Sequence, residues 1–321
     1  MIVLIFCVSC APTSTIGVSP TATTQAGLVT STMTSTSPSI PPALSVPSPT
    51  ERPQAEQAES CDHDICVLDG HFIMRNPISA FGNRFSDDSY RYGSTQGGLR
   101  ETHHGVEFAN NLGIPVLAVA DGEVVFAESD AQIKIGWVPN FYGNVVVIRH
   151  RADGFDQDLY SLYAHLSTIS VKRGDMVEVG KMVGTVGATG TARGSHLHFE
   201  VRSGSNDSES NQNPLLWVVP EPEMGVIAGR LINSIGEEVE GTFNVQAVSD
   251  GVVNPSPTTS ITTYENKKLP VGNDPNWREN FAAGNLRQGE YRVSLVYNNK
   301  VYEKLVNVQD GKLTFVVFVV K

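Results

Sequence analysis

The chain has 321 residues, of which 40% are hydrophobic, and a formal net charge of −11. That is enough apolar material for two modest domains with cores of their own. The acidic balance, without any dense Lys/Arg cluster, excludes a nucleic-acid binder and a protein held on anionic lipid by charge, so a neutral or cationic partner is expected.

Residues 1–10 run from Met1 through the apolar stretch Ile2 to Val8 and end at Ser9-Cys10. This resembles the end of a lipoprotein signal segment, in which Cys10 would carry the lipid, although no basic residue precedes the apolar run. The run is far shorter than the roughly 20 residues a membrane-spanning helix needs. Residues 11–58 are rich in Ser, Thr and Pro and hold no charged side chain before Glu51. Such a segment cannot bury enough surface to fold and is expected to be a disordered linker. Cys61 and Cys66 bracket Asp62-His63-Asp64-Ile65. Outside the cytoplasm, two cysteines this close are expected to form a disulfide worth roughly 2 kcal/mol in loop closure.

From residue 59 to 220, short Val/Ile-rich runs alternate with Gly and Asp turns, notably Val116 to Ala120, Gly122 to Ala127, Asn144 to His150, Tyr160 to Leu166, Met182 to Val186 and His196 to Arg202. No comparable stretch has helical periodicity, so an antiparallel β-sheet domain is expected, with long loops at Ser86 to Thr102 and Ser129 to Tyr142 that wall a groove. His150 is expected at a strand end on the surface. Residues 221–321 carry further strand-length runs, among them Leu286 to Val293 and Leu313 to Val320, and read as a β-sandwich. The whole chain is thus expected to be mainly β behind its linker.

Two fragments, Thr102 to Glu107 and Ser195 to Glu200, hold four of the eight histidines. Catalytic zinc takes three protein ligands drawn from His and carboxylate and leaves a fourth position open. Leu197, Phe199 and Val201 alternate with His196, His198 and Glu200, so the two histidines share one face of a strand. His103 and Glu107 are an even number of residues apart and fall on one side if that segment is extended. His104 would then point the other way. Gly105 lets another backbone come close. A third piece, Leu162-Tyr163-Ala164-His165-Leu166, has a lone histidine of the kind that is more often a satisfied core residue than a catalyst.

In order along the chain, His103-His104-Gly105-Val106-Glu107, Tyr163-Ala164-His165-Leu166 and His196-Leu197-His198-Phe199-Glu200 resemble the motifs His-x-Gly-x-Asp, Tyr-x-His-Leu and His-Leu-His-Phe-Glu of lysostaphin-type, LytM-like zinc endopeptidases, which cut the peptides of bacterial peptidoglycan. Phe81-Gly82-Asn83-Arg84 matches the segment that opens that domain. One position departs, since Glu107 stands where the family usually has Asp. Its extra methylene must be absorbed by a rotamer or a backbone shift.

The resemblance implies one zinc ion held by His103, Glu107 and His198, with His165 and His196 moving protons. Glu200 is left between a part in the chemistry and an acceptor that orients an imidazole. It also implies peptidoglycan peptides as substrate, a monomer, and a place outside the cytoplasm in the cell envelope, anchored by lipid on Cys10 or else secreted. Leu286-Arg287-Gln288-Gly289-Glu290-Tyr291-Arg292-Val293 is similar to carboxypeptidase-regulatory-like or transthyretin-like accessory domains. The alternative is a metal-free LytM-like module that activates another wall hydrolase. Degenerate members of that kind typically lack ligand or catalytic histidines, and this chain keeps them.

Overall fold

The computed structural model describes residues 64–151, 155–265 and 270–321. The leader with Cys10, the linker of 11–58, Cys61 and His63 lie outside them. Cys66 lies inside and is disulfide-bonded.

Before residue 220 the strands are β1 (Ile65–Leu68), β2 (Val106–Ala109), β3 (Pro115–Leu117), β4 (Gly122–Ser129), β5 (Asn144–His150), β6 (Leu159–Ala164), β7 (Thr168–Ile169), β8 (Met176–Val177), β9 (Met182–Thr185), β10 (His196–Ser203) and β11 (Asn211–Gln212). After it come β12 (Met224–Asn233), β13 (Thr242–Ser249), β14 (Val252–Thr262), β15 (Phe281–Arg287), β16 (Gly289–Tyr297), β17 (Lys300–Val308) and β18 (Leu313–Val320). Two 3-10 turns, Ser208–Ser210 and Pro214–Leu216, are the only helical segments among the described residues. The fold is nearly all β, as the alternating runs require.

The seven-stranded sheet has the order β11-β10-β6-β5-β4-β8, and β2 also pairs with β10. Strand β10 is central: β6 lies on one side, and β2 and β11 on the other. A small sheet of order β3-β9-β7 packs beside it. After residue 220, two four-stranded sheets, β1-β18-β12-β15 and β14-β13-β16-β17, form the sandwich. The first strand, β1, falls in the stretch expected to open the catalytic domain but is hydrogen-bonded to β18 at the edge of the C-terminal sheet.

The run Leu313 to Val320, apolar except for Thr314, follows from burial on both faces. Leu313 and Phe315 enter a core shared with Val106, Phe108, Tyr163, Phe199, Leu216 and Trp217, whereas Val316, Phe318 and Val320 enter a second core with Phe243, Phe281 and Val293. Strand β12 divides in the same way, with Val226 and Ala228 in the first core and Ile227 and Leu231 in the second. Apolar packing is therefore continuous across residue 220, where the sequence suggests a boundary, and one sheet forms the middle layer.

His150 is not a surface residue. It is 2% exposed, with its ring nitrogens 2.7 Å from Ser161 Oγ and 2.8 Å from the Asp121 carbonyl. Both polar ring atoms are satisfied, which makes its burial affordable.

Candidate metal centre

Register places the first parts of the site. Leu197, Phe199 and Val201 are buried in the core, so His196, His198 and Glu200 project from the opposite face of β10. Glu107 stands directly across the antiparallel pair from His198 and shares that face. The extended-strand expectation holds for Glu107 but not for His103, because strand β2 begins only at Val106. The His103 N–H instead donates to the Ser94 carbonyl, and its own carbonyl accepts from Gly93 N–H. From this loop position its ring still meets Glu107. Gly105 allows the approach: a Cβ there would lie 2.4 Å from the Phe199 carbonyl oxygen.

His103 Nε2 lies 3.0 Å from Glu107 Oε1 and 3.2 Å from His198 Nδ1, and the third side, His198 Nδ1 to Glu107 Oε1, is 3.2 Å. A tetrahedral ion with bonds of about 2.0–2.1 Å holds its ligand atoms about 3.3 Å apart, so this triangle has the size of one face of a zinc site. The proton balance agrees. His198 Nε2–H donates to Glu200 Oε1 at 3.0 Å, which leaves Nδ1 of a neutral ring with a lone pair aimed at the Glu107 carboxylate. Something positive must sit between them. Without a metal it is a proton: burial opposes the charge on His198, but Glu107 and Glu200 outweigh it and push its pKa up to about 10. Burial also opposes ionisation of Glu107, yet His198 and His103 hold it well below the usual carboxylate range. These three residues can hold a metal ion, and Glu107 reaches the triangle despite its extra methylene.

The other two histidines border the same triangle. The His165 ring is 4.8 Å from that of His196 and 5.7 Å from that of His198, and His196 Nε2 is 3.2 Å from Glu107 Oε2. His165 Nδ1 donates to the Thr189 carbonyl at 2.9 Å and His196 Nδ1 to the Gly194 carbonyl at 3.0 Å. A carbonyl accepts only from N–H, so both rings present Nε2 as the exchangeable nitrogen. His165 has φ +60°, a region that non-glycine residues rarely enter. Burial, and then the charge on His198, lower its pKa to about 3.

Behind the triangle, Glu200 Oε2 accepts from Arg202 Nε at 2.9 Å and Nη2 at 2.8 Å, and Glu200 Oε1 also accepts from the Tyr142 hydroxyl. Glu200 and Arg202 are both 0% exposed. Glu200 thus orients His198, the second of the two parts left open for it. Tyr90 stacks on His103 with ring centroids 3.9 Å apart. Nothing in the motif spacing marks Tyr90 or Tyr142. Arg202 was detectable, because it continues the 196, 198, 200 alternation as a charge on a strand face that is otherwise buried. His104 turns away toward Trp137 and the Pro270 carbonyl, and His71 stacks between Trp217 and Trp277 with Nε2 on Asp274.

Residues 101–214 match the model of peptidase family M23. Over 122 residues the chain is 39% identical to the DD-carboxypeptidase/endopeptidase Mpg of Neisseria meningitidis, covering 38% of this chain and 24% of that protein. It is 34% identical over 111 residues to the murein hydrolase activator NlpD of Escherichia coli, covering 35% and 24%. The catalytic domain of the antimicrobial peptidase lysostaphin from Staphylococcus simulans is 32% identical, with 36% of this chain and 77% of that one covered and a TM-score of 0.31. The chain spans about a quarter of the length of the Mpg and NlpD proteins that it matches. The motifs around His103, His165 and His198 all lie inside the matched region, so residues 101–214 form a peptidase M23 domain.

Proposed function

We propose that the chain is a zinc-dependent endopeptidase that hydrolyses peptide bonds in bacterial cell-wall peptidoglycan. The observation that carries this reading is the triangle of His103, Glu107 and His198 donor atoms with two further imidazoles beside it. His103, Glu107 and His198 would hold the ion. When bound, zinc polarises a carbonyl as a Lewis acid and makes a water nucleophile available near neutral pH.

This chain's own groups carry out the rest. Glu200, braced by Arg202 and Tyr142, keeps His198 Nδ1 turned toward the centre. His165 and His196, tautomers set by the Thr189 and Gly194 carbonyls, offer Nε2 to take a proton from the attacking water and return one to the leaving amine. In this reading residues 59–220 carry the chemistry and 221–321 support it. The protein works as a monomer outside the cytoplasm, tethered by lipid on Cys10 or secreted.

The similarity to NlpD supports a second reading, a non-catalytic activator of another wall hydrolase. A complete set of ligand and proton-transfer side chains favours the enzyme. Metal analysis of the purified protein, paired with release of new amino groups from peptidoglycan before and after chelation, separates the two. The enzyme has near-stoichiometric zinc and chelator-sensitive cleavage. An activator has neither and stimulates a partner hydrolase.

A further inference from the structure

The loop of residues 94–102 and the sandwich segments 240–242 and 262–265 enclose a groove of about 800 Å³. The sandwich wall is stitched to the loop by Glu265. Its N–H donates to the Gly93 carbonyl at 2.7 Å, its carboxylate accepts from Thr95 N–H at 3.2 Å, and its carbonyl accepts from Thr102 Oγ1 at 3.2 Å. Its lining includes Thr102, the residue before His103, so the groove adjoins the loop that carries that candidate ligand.

Two guanidiniums, Arg100 and Arg193, line this groove, and neither has an ion-pair partner among the described residues. Arg100 lies 4.6 Å from the centre of the Tyr90 ring, the same ring that stacks on His103. Arg193 is close enough to act electrostatically on Tyr90 and sits three residues before His196. Three glutamates also line these walls: Glu265 accepts from Thr95, Glu240 is itself engaged, and Glu101, next to Arg100 in sequence, is exposed to solvent. In a chain of net charge −11, two unpaired guanidiniums beside the centre run against the prevailing sign. A planar guanidinium fork matches a carboxylate, and pairs it more strongly than a neutral hydrogen bond would.

We propose that Arg100 and Arg193 form a subsite for a free carboxylate of the peptide, with the sandwich as the opposite wall, so that the scissile bond is positioned by a charge it does not itself contain. The identity of the peptide rests on the peptidase reading; the anion subsite is a property of the groove. A synthetic tetrapeptide, L-Ala-γ-D-Glu-L-Lys-D-Ala, and two forms of it, each with one carboxylate replaced by its amide, test this on the full chain. Affinity is read by calorimetry with metal and again after chelation, so loss of cleavage alone counts only against the peptidase reading.

Amidation of one of the two carboxylates is expected to weaken binding about tenfold. In the double variant Arg100→Gln, Arg193→Gln that acid-to-amide ratio should fall toward one, and Arg100→Lys should keep part of it. Both side chains are at least partly solvent-exposed, and unchanged thermal melts will verify folding. Equal binding of all three peptides to the parent, or an undiminished ratio in the double variant, overturns the proposal.

Discussion

Glu200→Gln removes one charge and almost no volume, and the structure separates its consequences. Glu200 and Arg202 are both 0% exposed, and Arg202 Nε and Nη2 both donate to Glu200 Oε2. Removing one partner of such a pair leaves a buried cation uncompensated, at about 3–5 kcal/mol of folding stability. The remaining partners of Arg202, the Asn206 carbonyl at 2.9 Å and Oδ1 at 3.0 Å and the Tyr142 hydroxyl at 2.9 Å, are neutral and do not restore the charge. A second effect acts on the centre. His198 Nε2–H loses its carboxylate acceptor, and loss of such a partner typically costs about 10–100-fold in metal affinity.

Pairing Glu200→Gln with Arg202→Met removes the orphaned charge while leaving His198 without its carboxylate. The double variant should recover most of the stability lost by the single one and none of the metal affinity. Urea unfolding in the presence of a chelator gives the first quantity, and zinc competition against a chromophoric chelator gives the second. A stability loss below about 1 kcal/mol for Glu200→Gln, within the range of an exposed pair, would refute the account of the buried ion pair. Recovery of zinc affinity in the double variant would refute the positioning role of Glu200.

His198→Ala should abolish stoichiometric zinc, whereas His165→Ala and His196→Ala should retain it and lose about 100-fold or more in turnover, read by metal analysis and amino-group release; fully active His165 and His196 variants would contradict their roles. Gly105→Ala places a Cβ 2.4 Å from a backbone oxygen that cannot yield, so β2 must move off β10. It should cost about 2–3 kcal/mol in denaturant melts and weaken metal binding as Glu107 leaves the His198 register. Burial of Glu279 raises its pKa from 4.5 to about 8. The folded state then keeps a proton that the unfolded chain releases, so this group's contribution to stability declines as pH rises from about 4.5 through about 8. Melts across that window should therefore show a shallower decline for Glu279→Gln than for the parent, and parallel curves would exclude the effect.

Local pattern carried a large part of this protein. Alternation of Leu197, Phe199 and Val201 with His196, His198 and Glu200 places the two histidines on one face with no knowledge of any neighbouring strand, because side-chain direction has period two. The same rule predicts strand-length runs across both halves of the chain. It does not reach His103, whose ring arrives from a loop held by Ser94 and Gly93, or His165, whose positive φ belongs to no strand. Nor does it explain the surroundings. His150 reads as an exposed strand end, yet partners from Asp121 and Ser161 make its burial tolerable. Tyr142 and Tyr90 carry no mark in their own segments.

By itself the amino-acid sequence determined the class of fold, the extended segments and the kinds of side chain available for chemistry, since these depend on hydrophobic period and residue type. Tertiary structure alone decided that donor atoms from positions 103, 107 and 198 stand 3.0–3.2 Å apart, that a buried arginine braces them, and that the sheet of β18 and β12 is buried on both faces, one against the strands before residue 220 and the other against the second sandwich sheet. Such convergence depends on strand register and loop closure between residues far apart along the chain, which no local periodicity encodes.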